Sequence, residues 1–129
     1  MRIERFEDIE AWKEARKLVN MIYDISDEEK FSRDFGLKNQ IRDASVSVMS
    51  NIVEGFDRGT NREFIQFLIV GRASASEVRS QLYVALDRKY ITSDKFHEIC
   101  DQISKLISLI DGFIRYLRKP RTPNPEPRT

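Results

Sequence analysis

The segment Ser50–Gly55, read Ser-Asn-Ile-Val-Glu-Gly, sets an amide and a carboxylate one turn apart in an otherwise apolar helical pattern. Gln40, Ser47, Asn51 and Glu54 fall along one flank of that helix, at three-, four- and seven-residue spacings. A second stretch, Gly71-Arg-Ala-Ser-Ala-Ser-Glu77, offers small residues that admit a neighbouring backbone, with the hydroxyl of Ser74 and the carboxylate of Glu77 among them. Facing lines of this kind suit two kinds of chemistry. One is general acid–base catalysis by a buried carboxylate that titrates near neutrality. The other is a satisfied polar network that fixes helix register, in which Asn51 spans donor and acceptor partners and Glu54 or Glu77 meets Arg42, Arg58 or Arg79. The parts that accompany catalysis are missing. No nucleophile stands beside a base, no Gly-rich phosphate loop follows a strand, and no Glu-x-x-His pair marks a di-iron bundle. The network reading is therefore preferred, with Gln40, Arg42, Ser47, Asn51, Glu54, Ser74 and Glu77 as its members.

Those residues need helices to hold them. Apolar positions Ala11, Trp12, Ala15, Leu18, Val19 and Ile22 recur at helical spacing over about 7–24, with Lys13, Glu14 and Lys17 between them. An acidic connection, Asp24-Ile-Ser-Asp-Glu-Glu-Lys30, follows, and its neighbours Phe31 and Phe35 are expected to fold back onto the core. Leu37, Ile41, Ala44, Val48 and Ile52 define a second helix. Gly55 and Gly59 mark its end, and Thr60 with Glu63 has the spacing of a capping box for the next. The third helix runs over about 61–89, roughly 40 Å at 1.5 Å per residue. Thr92 or Ser93 caps a fourth, carried by Phe96, Ile99, Ile103, Leu106, Ile110, Phe113, Ile114 and Leu117.

Four prolines between residues 120 and 127 rule out further helix and predict a disordered, solvated tail over 120–129. The fold class expected is all-α, an antiparallel up-down four-helix bundle over residues 1–119. At 129 residues, 40% apolar and 33% charged with five glycines, the chain suits one domain of this kind. No apolar run approaches the roughly 20 residues of a membrane span, and the first residues lack a signal-peptide core, so a cytoplasmic protein without membrane contact is expected. His97 and Cys100 are single, which leaves no disulfide framework and no Cys/His metal cluster within one chain. No cofactor motif is present.

Two helices carry more apolar surface than one core absorbs. Val46, Met49 and Val53 lie nearly opposite the core stripe of the second helix. On the third, Ile65 and Ile69 begin a second line that continues through Arg72, Ser76, Arg79 and Tyr83. Regular spacing on both helices predicts self-association through Val46, Met49, Val53, Ile65, Ile69 and Tyr83.

The blocks FEDIEAWKEARKL, FGLKNQIRDASVSVMSNIVEGFDRGTNREFIQFL and GRASASEVRSQL occur in order over about residues 6–118. In them the chain closely resembles the bacterial four-helix-bundle family first described as proteins encoded in intervening sequences of 23S ribosomal RNA genes. Relatives include the accessory variability protein of diversity-generating retroelements, a basic pentameric barrel that associates with a reverse transcriptase and nucleic acid. The resemblance implies a four-helix bundle, a homo-pentamer, no enzymatic activity, and RNA or an RNA/DNA intermediate with a reverse transcriptase as partners. The chain departs from the family pattern at Met49, where Pro is frequent, at Val53, where Ala is frequent, and at Ala73-Ser74, which replaces Gly-Ser.

A formal charge of +1 excludes a uniformly basic surface, so phosphate binding needs a local patch. Arg72, Arg79, Arg88 and Lys89 on the third helix, with Arg115, Arg118, Lys119 and Arg121 at the end of the fourth, are the candidates. Ordinary solvated helix ends account for such residues equally well. Two function classes stay open: an oligomeric scaffold for nucleic acid, and a protein-interaction adaptor without nucleic acid.

Overall fold

The structure is a computed structural model that describes residues 3–120. The disordered tail expected over 120–129 falls outside the described residues apart from Pro120, and so does Arg121. A short 3-10 turn, Phe6–Asp8, leads into α1 (Glu10–Ser26). There follow α2 (Glu29–Ser32), α3 (Phe35–Asp57), α4 (Asn61–Asp87) and α5 (Ser93–Arg118). The four long helices are those the apolar periodicity predicts, and α2 is one turn inside the expected connection. Among the described residues there is no strand, and no helix is long and apolar enough to cross a membrane.

The helices close into a ring of neighbours, α1 against α3, α3 against α4, α4 against α5, and α5 back against α1. Short loops between packed helices make those neighbours antiparallel. The shared core is apolar. Leu18, Ile22, Ile41, Val48, Ile52, Leu68, Leu82, Ile99, Ile103, Leu106 and Ile110 have no exposed surface, and they come from the i, i+3, i+4 stripes that define the helices.

Local chemistry sets the helix ends. Asp34 Oδ1 accepts from the Leu37 N–H at 3.1 Å and so starts α3 at Phe35. That start corrects one expectation: Phe31 is buried, but Phe35 is 70% exposed, because Leu37 occupies the core position of the first turn. Thr60 Oγ1 accepts from the Glu63 N–H at 3.2 Å and Thr92 Oγ1 from the Lys95 N–H at 3.1 Å. Gly59 makes the α3–α4 turn with φ +88°. Gly55 plays a different part from the expected one. It lies inside α3, where a Cβ would stand 2.7 Å from Phe64 Cδ1 and 2.8 Å from Phe67 Cβ. Its missing side chain lets the end of α3 touch the start of α4.

At the far end of α4, Lys89 takes the left-handed conformation (φ 60°) usually left to glycine. The Lys89 and Tyr90 N–H groups then bond back to Leu86 O at 3.0 Å and Ala85 O at 2.8 Å. Tyr90 lies beside Phe31 with ring centroids 5.3 Å apart, and its hydroxyl donates to Asp34 Oδ2 at 2.9 Å. One aspartate thus caps α3 and anchors the α4–α5 turn.

Candidate nucleic-acid interface

Helix α4 carries candidate residues on two flanks. Toward α3, Gly71 lies over Asn51 and Val48, where a Cβ would make ordinary van der Waals contact, 3.6 Å from Asn51 Cβ and 3.7 Å from Val48 O. Ser47 and Ser74 share a hydrogen bond of 3.1 Å across this seam. Asn51 Nδ2 donates to Ser47 O at 2.8 Å and Ser47 Oγ at 3.0 Å. Asn51, Ser47 and Ser74 therefore form the polar tie.

The other expected members lie elsewhere. Gln40, Glu54 and Glu77 are exposed, and their side chains bond no described residue. Arg42 lies about 140° round α3 from Ser47 at 100° per residue, which turns it toward α1. There it donates to Ser26 Oγ at 2.7 Å and Asp27 Oδ1 at 2.7 Å, with its guanidinium 4.1 Å from the Tyr23 ring centroid. Arg58 covers the Phe67 ring at 4.9 Å. Among the described residues no carboxylate of this line meets an arginine, and Glu54 and Glu77 are exposed where acid–base chemistry called for a buried carboxylate.

Toward α5 the same helix presents long side chains, and the seam opens into a groove of about 390 Å³. Arg72, Ser76 and Arg79 line it from α4, with Ser104, Ile107, Ser108, Asp111 and Arg115 from α5. Arg72 holds Asp111 in a fork, Nε to Oδ1 at 2.7 Å and NH2 to Oδ2 at 3.2 Å. Those hydrogen bonds, and the carboxylate charge behind them, push the Arg72 guanidinium above its ordinary pKa. Arg79 NH2 donates to Ser104 Oγ at 3.0 Å. Arg115 folds back along α5, its NH2 3.6 Å from the place a Gly112 Cβ would take. Three guanidiniums and three hydroxyls thus line one groove with one carboxylate, a set of donors suited to an anion such as phosphate.

The remaining candidate cations stand apart. Arg88 and Lys89 are exposed in the α4–α5 turn, about 24 Å from Arg72 along the helix axis. Arg118 and Lys119 are exposed one turn beyond Arg115, and Lys119 lines a second hollow with Thr60, Asn61, Arg62, Glu63, Gln66 and Leu117.

The apolar candidates divide as well. Val46, Ile69 and Tyr83 are 38%, 46% and 53% exposed. Met49 and Ile65 pack against the core from its edge, and Val53 is half-buried. Val70 and Val84, at 50% and 46% exposed, extend the outer face of α4. Their fourteen-residue spacing places them on one side of the helix, a signal the sequence offered.

One buried site went unread. Glu14 is 5% exposed. Its Oε1 accepts from Gln102 Nε2 at 3.0 Å and lies 3.4 Å from Lys105 Nζ, while Lys17 Nζ donates to Oε2 at 3.2 Å. The Gln102 bond chiefly holds this carboxyl below its ordinary pKa, against burial, which acts the other way. Burial pushes the Cys100 thiol up, against the Arg79 charge nearby, and His97 is exposed beside Phe96. Among the described residues no group of three or more His, Cys, Asp or Glu could hold a metal ion.

The family model described as 23S rRNA-intervening sequence protein matches residues 7–112, which include α1 to α4 and α5 as far as Gly112. The chain belongs to this family. A crystal structure of a protein with unknown function from the S23 ribosomal protein family of Bacteroides thetaiotaomicron aligns with a TM-score of 0.75 at 19% identity. The alignment covers 81% of this chain and 95% of that one. At that identity the likeness establishes the bundle fold. No curated protein matches the chain. Within the family match lie Arg72, Arg79 and Asp111, while Arg115 lies three residues beyond its end.

Proposed function

We propose that this chain is a non-enzymatic cytoplasmic scaffold that self-associates and holds nucleic-acid phosphates in the α4–α5 groove. The observation that carries the reading is the convergence of Arg72, Arg79 and Arg115 with Ser76, Ser104 and Ser108, two helices supplying donors to one opening. Guanidinium and hydroxyl groups recognise the phosphodiester backbone rather than base edges, so structured RNA or an RNA/DNA intermediate is the expected ligand class, bound with little sequence preference. Copies of the chain assemble through Val46, Ile69 and Tyr83, joined by Val70 and Val84. The resemblance favours a pentamer and a reverse transcriptase as the protein partner. Repetition of the groove around a ring multiplies the phosphate contacts that a near-neutral protomer can offer.

Filter binding of RNA across a salt series tests this. Affinity falls with a log–log slope of about −0.7 per phosphate contacted on single strands. Arg72→Glu with Arg115→Glu weakens all sequences alike. Retention of no RNA or DNA at low salt by assembled wild-type protein defeats the reading. It would leave a protein-interaction adaptor, the alternative favoured by the uncharged outer residues Ile69, Val70, Tyr83 and Val84. Light scattering decides assembly separately: a monomer at micromolar concentration is incompatible with the proposal.

A further inference from the structure

We propose that Asp111 is a built-in competitor for the groove's anion, so that a phosphate group enters by displacing this carboxylate from Arg72. The inference deepens the phosphate-groove reading above and rests on it. Its basis is the fork itself. Asp111 uses both carboxylate oxygens on Arg72, at 2.7 and 3.2 Å, and a phosphate presents the same pair of acceptors to the same edge of a guanidinium. The two ligands exclude each other at that edge of Arg72.

The other two arginines are differently placed. Arg79 gives its NH2 to a neutral hydroxyl, Ser104, and Arg115 forms no ion pair with a described residue. Their charge is uncancelled and supplies the attraction that brings a phosphate to the groove. Asp111 and Arg115 are four residues apart on α5 and so share one face. A phosphate first held by Arg115 and Arg79 therefore approaches alongside the carboxylate it must replace. The Arg72 side chain is 44% exposed and that of Asp111 34%, so water can solvate the released carboxylate. An exchange of this kind lowers affinity for isolated anions, and favours ligands that deliver several phosphates together.

The test compares Asp111→Asn with Glu98→Gln. Both remove one carboxylate from α5 that is paired to a cation, but Glu98 is paired with Lys95 at 3.3 Å outside the groove. Fluorescence anisotropy with a short single-stranded RNA should give about two- to fivefold tighter binding for Asp111→Asn, and wild-type affinity for Glu98→Gln. Where Arg72→Glu with Arg115→Glu abolishes RNA binding, equal affinities for the two variants, or weaker binding by Asp111→Asn, overturn the proposal. A second probe separates it from the underlying reading. The Arg72 Nε–H resonance is followed by NMR as inorganic phosphate is added. It should shift at lower phosphate in Asp111→Asn than in the wild type, whether or not RNA binds. Identical titrations overturn the competitor role even if Arg72→Glu and Arg115→Glu abolish RNA binding. If those reversals leave RNA binding intact while the phosphate titrations differ, the carboxylate competes as proposed and the nucleic-acid reading of the groove fails.

Discussion

Toward α3, helix α4 presents Gly71 and Ser74; toward α5, from one to five residues away in sequence, it presents Arg72 and Arg79. The first flank lies against Asn51 and Val48 and bonds Ser47 through Ser74, and the seam closes. The second meets serines and an aspartate, and the seam stays open as a polar groove. Side-chain length at the contact thus decides whether two neighbouring helices make a joint or a cleft. The closed seam fixes where α4 stands, and the open one gives that placement a use.

The largest effect is expected where the closed seam is tightest. Gly55→Val puts side-chain atoms where Phe64 and Phe67 already stand, and overpacking should lower unfolding free energy by about 3 kcal/mol. Chemical denaturation measures it, and a loss below about 0.5 kcal/mol would show that the helices separate freely and that the seam is no joint.

The α1–α5 seam offers an intermediate case, because its tie is a buried carboxylate. Glu14→Ala should cost about 1–2 kcal/mol, moderated by solvent around Lys17 and Lys105, whose side chains are 63% and 58% exposed. Since the folded carboxyl titrates below its unfolded value, its stabilisation is complete above the ordinary glutamate value of about 4.3. It is lost as pH falls through the depressed folded value. Denaturation midpoints of wild type and Glu14→Gln should therefore converge on acidification. Curves that stay parallel from pH 7 to pH 3 would contradict this account.

Asn51→Ala ranks next. Its amide bonds Ser47 within the same helix, and Asn51 is only half-buried, so the loss should be about 1 kcal/mol. A wild-type midpoint with lost RNA binding would move Asn51 from the joint to the ligand surface. Smallest of all should be Arg72→Ala, within about 0.5 kcal/mol on stability because the ion pair is exposed. A larger loss would make the groove pair part of the bundle's support, and erase the distinction between the two flanks.

The helices, the Thr60 and Thr92 caps and the core stripes were legible because each depends on residues within a turn or two of one another. Phe35 was misread because an apolar residue at a helix start faces inward or outward according to where the cap falls, and Asp34 settles that. Glu14 went unread because its partners, Gln102 and Lys105, stand on the last helix, and no local spacing announces them. Arg42 was assigned to the wrong seam for the same reason: its partners Ser26 and Asp27 end a different helix. In the candidate site, Arg72, Arg79 and Arg115 were named from the sequence. Their meeting in one groove, and the aspartate among them, needed the packing of α4 on α5. Gly55 was seen as a turn residue, and its role as a contact depends on two phenylalanines across the seam.

The tight α3–α4 joint also bears on the order in which the chain acquires its structure. Only residues 58–60 separate these two helices, so closing them together restricts a very short loop, whereas α1 and α5 meet across most of the chain. The α3–α4 hairpin should then form early, with substitutions at Gly55 and Gly71 slowing refolding and those at Glu14 and Gln102 mainly hastening unfolding. During synthesis α3 and α4 would leave the ribosome as a pair before α5 clears the exit tunnel. For that interval the apolar face that α5 will cover, including Phe64 beside Phe113, is open to other contacts, and assembly with a second copy must wait for, or compete with, completion of the chain's own bundle.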